Sequence, residues 1–497
     1  MQLAMGIDLG TSSVKVVALD WNRGIVAQSS EKYEVLSPCP GYAEQNPMDW
    51  FEATVTAIRK IDKEILNQIA AIAFTGQMHA VFPVDHQLRP MYNALLWFDS
   101  RSKPQAEAIN RWLQSLKDDR YRTVSSDPTL PLAKIRWLQE NADIDWIKVR
   151  CLMGAKDWLR CKFGGSLLTD VSEASGTQLL NETARNWDSI LLRAAGISIE
   201  QLPTVTSSTN LDGTLSDSLA KQTGLPKGCP LIVGGGDFPV TMSLFHLEPI
   251  DIVINIGTSG QVASQVTASS RRNCGGLNYF SQAISEEWLQ VVPLLSVGMC
   301  ISWWENILNV SSNGKTHYMD MFSSDSSGPE NEILSSDASA RLLFLPQISG
   351  ERSWIDDPLS SGSFLGLRKD HNARDLSLAI VQGLAMSIRE AYQSLTSHSI
   401  MQEHRFYLTG SHKFTSMLAV EISSALGQPL FIRTFAEPTA QGAGLLAFLG
   451  AKIVASQGVL PSQWTKEEQI VPNLLKQRYY EDTYPLYLKA RKVVSSL

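Results

Sequence analysis

The chain has 497 residues, which at about 100–200 residues per domain predicts two to four domains and excludes a single small binding module. Its 43 Lys and Arg residues against 50 Asp and Glu residues give a formal net charge of −7, so nothing in the composition indicates nucleic-acid binding. Fractions of 44% hydrophobic and 19% charged residues are typical of a globular protein with a large core and exclude a disordered or fibrous chain.

The cysteines, the N-terminus and the lengths of the apolar stretches indicate the cellular compartment. Six cysteines are widely spaced, with no CxxC pair and no histidine at zinc-ligand spacing, and they stand at positions 39, 151, 161, 229, 274 and 300. We therefore expect free, reduced thiols. The N-terminus lacks a basic segment, and no stretch has the apolar length of a membrane span. The sequence predicts a cytoplasmic protein without a membrane partner.

The first sixty residues predict an antiparallel meander followed by a helix. Alternating apolar residues favour strands over 3–7, 14–19 and 25–35, separated by tight turns. Asn46 can cap a helix over 46–62, because it precedes a proline and then an amphipathic run.

Two apolar strands lead into residues that could face a ligand. Residues 69–74 form an apolar run that ends at TGQMH, 75–79, and residues 231–233 lead into three glycines and Asp237. Glycines let a backbone approach a ligand closely, and open α/β sheets bind ligands beyond the C-terminal ends of their strands. We expect a ligand site at these two strand ends.

Two later segments have clear patterns. Residues 311–340 are rich in Ser, Asp, Asn and Gly and predict a solvated loop. From Asp375 onward, apolar residues recur every four positions, which predicts a helix with Gly383 as a close-packing site.

An internal repeat is the most informative feature of the organisation. The segment IDLGTSS at 7–13 recurs as INIGTSG at 254–260, about half the chain later, which predicts a duplicated α/β half. A Gly-Thr-Ser turn presents N–H groups and hydroxyls that suit phosphate oxygens, and two such turns could hold a polyphosphate. Taken alone, each is more often an ordinary hairpin turn, and it is the repetition in matched context that favours a phosphate site.

Several polar residues at the strand ends have both a functional and a structural interpretation. Asp8 could lie near a magnesium ion or cap a turn, and Asp237 could lie beside a substrate or close an Asx turn. Met78 and His79 could face a ligand or could be a core methionine beside a satisfied histidine.

Asp99 and Arg101 stand in the segment LWFDSR beside two aromatic residues. They could bind a polyhydroxylated ligand or form an ordinary surface ion pair, and without further context the ion pair is favoured. The chain contains no GxxxxGK[ST] loop and no GxGxxG at the start of a helix, so P-loop and Rossmann sites lack their key residues.

Together these residues resemble the sugar kinases of the FGGY carbohydrate kinase family, and within it they resemble the xylulokinases most closely. The shared segments run in family order over nearly the whole chain: GIDLGTSSVK at 6–15, EQNPMDW at 44–50, TGQMH at 75–79, LWFDSR at 96–101, KDWLR at 156–160, TDVSEASGT at 169–177, GGGD at 234–237, INIGTSG at 254–260 and SGER at 349–352. The second family signature follows between Gly362 and Gln382.

The resemblance implies an α/β protein with the actin-like ATPase (ribonuclease H-like) fold, two duplicated α/β domains with ATP and a sugar in the cleft between them. It implies a sugar-binding domain over 1–244 and a nucleotide-binding domain over 245–497, with the tail from about 465 packing back on the first. The implied partners are a small sugar, ATP and Mg²⁺, with no nucleic acid, and a homodimer is compatible with the resemblance.

The same resemblance implies roles for single residues. Asp237 matches the catalytic base and Asp8 the acid near magnesium. The sugar contacts match Gln77, Met78, His79 and Asp99, the phosphate loops match Thr11, Ser12, Ser13, Gly257 and Thr258, and the adenosine-binding turn matches Gly410 and Ser411. The implied reaction is phosphoryl transfer from MgATP to the terminal hydroxyl of a ketopentose, giving xylulose 5-phosphate or a close analogue. In a loose transition state, an aspartate with the ordinary pKa of about 3.9 can accept the proton.

Two positions depart from the family pattern and leave alternatives open. Phe238 follows the base where xylulokinases usually have Asn, and Thr409-Gly410-Ser411-His412 stands where Gly-Gly-Gly-Ala is common. The first departure bears on the choice of sugar and the second on affinity for ATP. The alternatives are a kinase for ribulose, sedoheptulose, glycerol or gluconate, a non-catalytic sugar sensor, and an actin-like ATPase acting as a chaperone or filament.

Overall fold

The computed structural model describes residues 2–122, 124–267, 277–311, 341–350, 361–396, 403–455 and 460–494. The chain divides into two compact units. The first comprises Met1–His246, Phe280–Trp288 and Phe435–Trp464, and the second comprises Leu247–Tyr279, Leu289–Thr434 and Thr465–Leu497. The expected boundary at 244 lies two residues before the end of the first long segment. Residues 435–464, expected in the second domain, group with the first unit, and the tail from 465 groups with the second.

The described strands, numbered along the chain, are β1 Leu3–Leu9, β2 Ser13–Asp20, β3 Gly24–Lys32, β4 Glu44–Gln45, β5 Ile69–Gly76, β6 Phe82–Val84, β7 Ala94–Leu95, β8 Cys151–Met153, β9 Leu168–Asp170, β10 Leu180–Asn181, β11 Asn186–Trp187, β12 Thr204–Thr206, β13 Leu211–Thr214, β14 Pro230–Gly236, β15 Asp251–Ile256, β16 Gly260–Val266, β17 Asn278–Ser281, β18 Trp288–Leu294, β19 Leu343–Leu345, β20 Ser363–Leu365, β21 Arg405–Gly410, β22 Leu430–Thr434 and β23 Lys466–Ile470.

The described α-helices are α1 Pro47–Arg59, α2 Lys63–Leu66, α3 Lys103–Gln114, α4 Asp119–Arg122, α5 Pro131–Asn141, α6 Ala155–Phe163, α7 Val171–Ser175, α8 Ser189–Ala195, α9 Asp217–Thr223, α10 Asp237–Met242, α11 Val297–Ser311, α12 Ala373–Thr396, α13 His412–Leu426, α14 Pro438–Gly450 and α15 Leu474–Val494.

Six strands of the first unit form one sheet in the order β13-β14-β5-β1-β2-β3. Strands β1, β2 and β3 are antiparallel neighbours, whereas β5 pairs parallel with both β1 and β14. The predicted meander is confirmed, with its third strand ending at Lys32. The predicted helix is confirmed as α1, which begins at Pro47, and the Asn46 side chain caps it by accepting the N–H of Met48 at 3.1 Å.

Helix α14 lies against β1 because two glycines remove the side chains that would separate them. A Cβ on Gly6 of β1 would overlap the carbonyl oxygen of Ala440, and a Cβ on Gly444 would overlap the side chain of Leu19. Interiors are packed densely enough that only residues without side chains allow this approach. This packing explains why residues 435–464 group with the first unit.

The second unit repeats the plan of the first. The strand order of its larger sheet is β17-β18-β16-β15-β21-β22-β23. Strand β15 pairs antiparallel with β16 and parallel with β21, as β1 does with β2 and β5. The predicted duplication is therefore confirmed in the pairing of the strands on both sides of each Gly-Thr-Ser turn.

The helix predicted from Asp375 is confirmed as α12. A Cβ on Gly383 would overlap the carbonyl oxygen of Phe344, so this glycine is a close-packing site, as predicted. Of the predicted loop over 311–340, residue 311 ends α11, and residues 312–340 lie outside the described residues, as do residues 351 and 352 of the SGER segment.

The five described cysteines are free, and burial raises the thiol pKa to about 12 in Cys151, Cys161, Cys229 and Cys300. This confirms the expectation of unpaired thiols for those positions; Cys274 lies outside the described residues. None of the helices in the described ranges has both the length and the apolar character needed to cross a membrane.

Candidate active site

The strand ends predicted to face a ligand lie side by side in the first unit. Asp8, the penultimate residue of β1, is opposite Thr75 of β5 and Lys15 of β2. Gly236 ends β14 opposite Gly76 of β5, and the next residue, Asp237, begins α10. The sheet order thus brings Asp8, the TGQMH segment and Asp237 to one edge, as the sequence predicts.

The Asp237 carboxylate is held by backbone N–H groups. It accepts the N–H of Phe238 at 2.8 Å and is also bonded by the N–H of Met78. Burial nevertheless raises the pKa of Asp237 to about 6, because desolvation outweighs these bonds. The expectation of an ordinary aspartate pKa is therefore wrong, and Asp237 is a stronger base than a solvated aspartate.

Asp8 lies in an acidic, buried environment. Its pKa is raised to about 7 by burial and then by the charges of Asp237 and Glu437, which the Lys15 ammonium only partly offsets. Lys15 also pairs with Glu437 at 2.7 Å. Glu437 could not be predicted as part of this group, because it stands 422 positions from Lys15 and no short motif connects the two.

These carboxylates suit a magnesium ion. Burial, and then the charges of Asp237 and Glu437, disfavour ionised Asp8, and a divalent cation would stabilise that ionised form. Mg²⁺ is commonly held by only one or two carboxylates together with water and phosphate oxygens. Within the ranges that the structure describes, no cluster of three or more His, Cys, Asp or Glu side chains forms a complete metal site. The carboxylate of Asp8 fits Mg²⁺ by its chemistry, with the remaining ligand positions left to water and phosphate oxygens.

Met78 and His79 pack against two glycines. A Cβ on Gly236 would lie 2.7 Å from the Met78 sulfur, and one on Gly176 would lie 2.6 Å from the Met78 methyl group. His79 has a left-handed φ of 68°, and its Nδ1 lies 2.7 Å from the carbonyl oxygen of Gly176. The histidine is thus oriented by the backbone, and the residue is partly exposed.

Aromatic rings surround this edge of the sheet. The ring of Phe280 lies 5.9 Å from that of His79 and 6.2 Å from that of Phe238, measured between centroids. Phe238, the residue that departs from the family pattern, is thus part of an aromatic group that includes a predicted sugar contact. Phe280 was missed, because nothing near it in sequence marks it as part of a site.

Gln77 links this edge to the first Gly-Thr-Ser turn. Its amide nitrogen donates to Gln45 at 2.8 Å, and Gln45 donates in turn to the carbonyl oxygen of Thr11 at 2.7 Å. The side-chain oxygen of Gln77 is buried and has no hydrogen-bond partner among the described residues. A buried polar atom without a partner is uncommon, so this oxygen has an unused capacity to accept a hydrogen bond.

Asp99 differs from its expected placement. It is completely buried, and its carboxylate accepts the N–H of Ala43 at 2.6 Å and pairs with Arg101 at 2.7 Å. Arg101 also pairs with Glu44 at 2.7 Å and stacks over the ring of Tyr42. The ion pair is therefore internal, and the expectation of a surface pair is wrong. Because its oxygens are already bonded, we assign Asp99 to holding this loop and not to the sugar.

The first Gly-Thr-Ser turn remains open to a ligand. The N–H of Gly10 donates to the carbonyl oxygen of Ser13 at 3.1 Å, which closes the turn. Ser12 is exposed, and the hydroxyl of Thr11 accepts the indole N–H of Trp97 at 3.0 Å. The aromatic residues of the LWFDSR segment are thereby tied to this turn.

In the second unit, the C-terminal ends of β15 and β21 are equivalent to those of β1 and β5 in the first. The N–H of Gln77 donates to the carbonyl oxygen of Leu9 at 2.8 Å, and the N–H of Ser411 donates to that of Ile256 at 2.7 Å. The structure therefore aligns TGQMH at 75–79 with TGSHK at 409–413, an extension of the repeat that the sequence analysis missed. The shared Thr-Gly was the available signal.

Glycines shape this second edge. Gly410 has a left-handed φ of 116°, and a Cβ there would overlap the carbonyl oxygen of Ile256. The carbonyl of Gly257 accepts the N–H of Gly298 at 3.1 Å, and the carbonyl of Thr258 accepts the N–H of Met299. Gly298 was not among the predicted residues. The arrangement brings Gly257, Thr258, Gly410 and Ser411 together, with Thr258 and Ser411 exposed.

Helix α13 begins directly after this edge. The pairing of Ile256 with Gly410 places the start of this 15-residue helix next to the Gly257 turn. Its N-cap, Ser411, makes no side-chain capping bond, so no serine hydroxyl occupies the first N–H groups. A helix N-terminus beside a glycine turn favours phosphate oxygens, because its unpaired N–H groups and dipole attract negative charge.

Comparison with known families gives matches to both halves. The N-terminal domain of the FGGY family of carbohydrate kinases matches residues 3–244, and its C-terminal domain matches residues 275–451. Among curated proteins, a xylulose kinase of Staphylococcus xylosus is 25% identical over 98% of this chain and 99% of its own length. A xylulose kinase of Escherichia coli is 27% identical over 96% of each chain, and a gluconokinase of Bacillus subtilis is 23% identical over 99% and 96%.

Solved structures agree with these matches. A kinase described as a xyloylose kinase, from Brucella ovis, has a TM-score of 0.86 at 25% identity and covers all of both chains. A glycerol kinase of Plasmodium falciparum with ADP has a TM-score of 0.85 at 19% identity, over 99% and 98% of the two chains, and shows likeness of fold alone.

Proposed function

The chain belongs to the FGGY family of carbohydrate kinases, a phosphotransferase family acting on sugar hydroxyls, and from this premise we propose that it transfers the terminal phosphate of ATP to the terminal hydroxyl of D-xylulose. Its fold is the actin-like ATPase fold of its structural neighbours, as the sequence predicts. The observation that carries the proposal is the meeting of Asp8, Asp237, Met78 and His79 at one edge of the first sheet.

Asp237 is the proposed general base. Its carboxylate receives the proton that the attacking sugar hydroxyl releases, and the N–H groups of Met78 and Phe238 hold it in place. A pKa of about 6 leaves most of the carboxylate ionised near neutral pH while raising its basicity. Most of the rate is expected to come from positioning and charge compensation, as in other phosphoryl transfers.

The donor is held by residues that phosphates favour. Asp8 would hold Mg²⁺, which when bound offsets the charge that builds on the transferring phosphate. The turns at Thr11–Ser13 and Gly257–Thr258 offer N–H groups and hydroxyls to phosphates, and Gly410 and Ser411 lie on the proposed nucleotide side.

Sugar recognition is assigned to Gln77, Met78 and His79. The free side-chain oxygen of Gln77 accepts a sugar hydroxyl, and the oriented ring of His79 offers a polar edge beside an aromatic group. The choice of D-xylulose follows the xylulose kinases that match the whole chain. Gluconate is the second candidate, because a gluconokinase matches over 99% of the chain.

A coupled assay of ADP release tests both the reaction and the acceptor. We expect D-xylulose to give the highest kcat/KM in a panel that also contains D-ribulose, sedoheptulose, gluconate and glycerol. The Asp237→Asn variant should lose about 10²–10⁴-fold in kcat, the usual contribution of a general base, while still binding sugar.

The outcomes separate the two parts of the proposal. Normal turnover by Asp237→Asn would contradict the assignment of the base. A preference for gluconate or another acceptor would replace D-xylulose and leave the kinase reaction intact. ATP turnover that no sugar stimulates would contradict the reaction itself.

A further inference from the structure

A buried serine hydroxyl lies beneath the strand that carries Asp237. Ser172, in helix α7, is completely buried, and its Oγ accepts the N–H of Gly236 at 3.0 Å. Gly236 is the last residue of β14 and directly precedes Asp237. The hydrogen bond therefore lies one residue away from the proposed base.

Asp170 orients this hydroxyl. Ser172 donates its hydrogen to Oδ2 of Asp170, so a lone pair of the same oxygen is left for the N–H of Gly236. Ser208 donates to the same Asp170 oxygen at 2.7 Å, and Lys156 lies 3.0 Å from the other oxygen. All of these side chains are buried, and a fully bonded network of this kind is rigid.

The sheet holds this end of β14 only partly. The pairing of β14 with β5 shifts register between Ile232 and Gly235, and α10 begins at Asp237 without a side-chain cap. A Cβ on Gly235 would lie 2.9 Å from the Ser172 oxygen, so the absence of a side chain there admits the hydroxyl. Ser172 thus contacts the backbone where the regular ladder is interrupted.

We propose that Ser172 is a positioning residue for phosphoryl transfer, which fixes the backbone at Gly236 and thereby places the Asp237 carboxylate against the hydroxyl that it deprotonates. This inference rests on the proposed role of Asp237. Ser172 acts through the backbone and does not contact the substrate. A misplacement of about 1 Å lowers a rate on the order of 10²-fold, whereas ground-state binding of sugar and ATP depends on other residues.

The test measures kcat and both KM values for the full chain with D-xylulose, or with the best acceptor of the panel. Ser172→Ala and Ser172→Val should lower kcat about 10–100-fold and leave the KM values within about threefold. Ser172→Thr, which has the volume of Val but keeps the hydroxyl, should stay within about threefold of the wild-type kcat. Each rate is divided by the concentration of folded protein, which circular dichroism measures.

Ser208→Ala is the matched control, because it removes a hydrogen bond to the same Asp170 oxygen without touching Gly236. It should lower the melting temperature about as much as Ser172→Ala and keep kcat within about twofold. The inference is overturned if Ser172→Ala and Ser172→Val keep the wild-type kcat, if the Thr and Val variants are equally impaired, or if Ser208→Ala loses as much kcat as Ser172→Ala.

Asp237→Asn, measured alongside, separates this inference from the function on which it rests. An inactive Asp237→Asn with normal Ser172 variants would reject only the positioning role. An active Asp237→Asn would reject the proposed base, and the positioning role with it.

Discussion

At the scale of single residues, the surroundings of a carboxylate decide its role. The family resemblance implied ligand contacts for Asp8, Asp99 and Asp237, whereas the residues alone favoured an ion pair for Asp99. The structure pairs Asp99 with Arg101 in a buried ion pair, whereas it leaves Asp8 and Asp237 near each other's charge. The sequence shows residue type and spacing, but the desolvation that sets these pKa values and the approach of Glu437 depend on tertiary packing.

The raised pKa of Asp237 predicts how activity depends on pH. The base acts in its ionised form, so kcat/KM should be constant above pH 7 and fall about tenfold per pH unit below pH 6, as the carboxylate of free enzyme becomes protonated. The profile should be measured at saturating Mg²⁺, because a bound cation keeps Asp8 ionised.

Raising the Mg²⁺ concentration is the control for that profile. A limb that reports Asp8 would move to lower pH with more Mg²⁺, whereas a limb that reports Asp237 should stay in place. A profile that stays flat down to pH 5 would show that Asp237 titrates as an ordinary aspartate.

At the scale of elements, the sequence predicted those that local chemistry determines. Alternating apolar residues marked the meander, and Asn46 with its following proline marked the start of α1. The equivalence of TGQMH and TGSHK was missed, because only two residues are shared and the match depends on strand pairing. Gly298 was missed for a similar reason: its close neighbours, Phe414 and the Gly257 carbonyl, are distant in sequence.

Two glycines at the contact of α14 with β1 should respond differently to a methyl group. Gly6→Ala places a Cβ against the backbone carbonyl of Ala440, so the helix must move, and we expect a loss of about 3 kcal/mol in the free energy of unfolding. Gly444→Ala meets the end of the buried Leu19 side chain and not backbone, so a local shift of that side chain accommodates the methyl group at a smaller loss, which up to about 1 kcal/mol of helix propensity partly offsets.

Thermal unfolding should therefore show a much lower melting temperature for Gly6→Ala than for Gly444→Ala. The two variants control for each other, because both add one methyl group to the same contact. Equal melting temperatures would mean that the helix does not pack on the sheet as closely as the structure places it.

At the scale of the whole molecule, duplication explains why two similar edges carry different residues. The repeat aligns Asp8 with Asn255 and Gln77 with Ser411, so the second unit has a neutral amide in place of the acid and a smaller side chain in place of Gln77. An acid suits a cation and a sugar hydroxyl, whereas a neutral glycine turn beside a helix N-terminus suits phosphates. The sequence predicted this division from the repeated turn and the family resemblance together, since neither turn alone distinguishes its ligand.

This division predicts that two ligands stabilise the protein through different residues. In an Asp237→Asn background, which prevents turnover, sugar and MgATP at about 100 times their Kd should each add about 2.7 kcal/mol of stability and raise the melting temperature by a few degrees. His79→Ala should remove the rise with sugar and keep that with MgATP. Gly410→Ala should do the reverse, because its Cβ would overlap the carbonyl of Ile256 and displace the nucleotide turn.

Gly228→Ala is the control for the strain of a positive φ, because Gly228 has a φ of 70° but no atom near the position of a Cβ. It should lower the melting temperature of the free protein and keep both rises. If Gly410→Ala abolished the rise with sugar as well, or if His79→Ala abolished the rise with MgATP, the two edges would not be separate ligand sites. The protein would then bind both ligands through residues that the repeat does not divide, and the assignment of sugar recognition to His79 and of the nucleotide turn to Gly410 would fail.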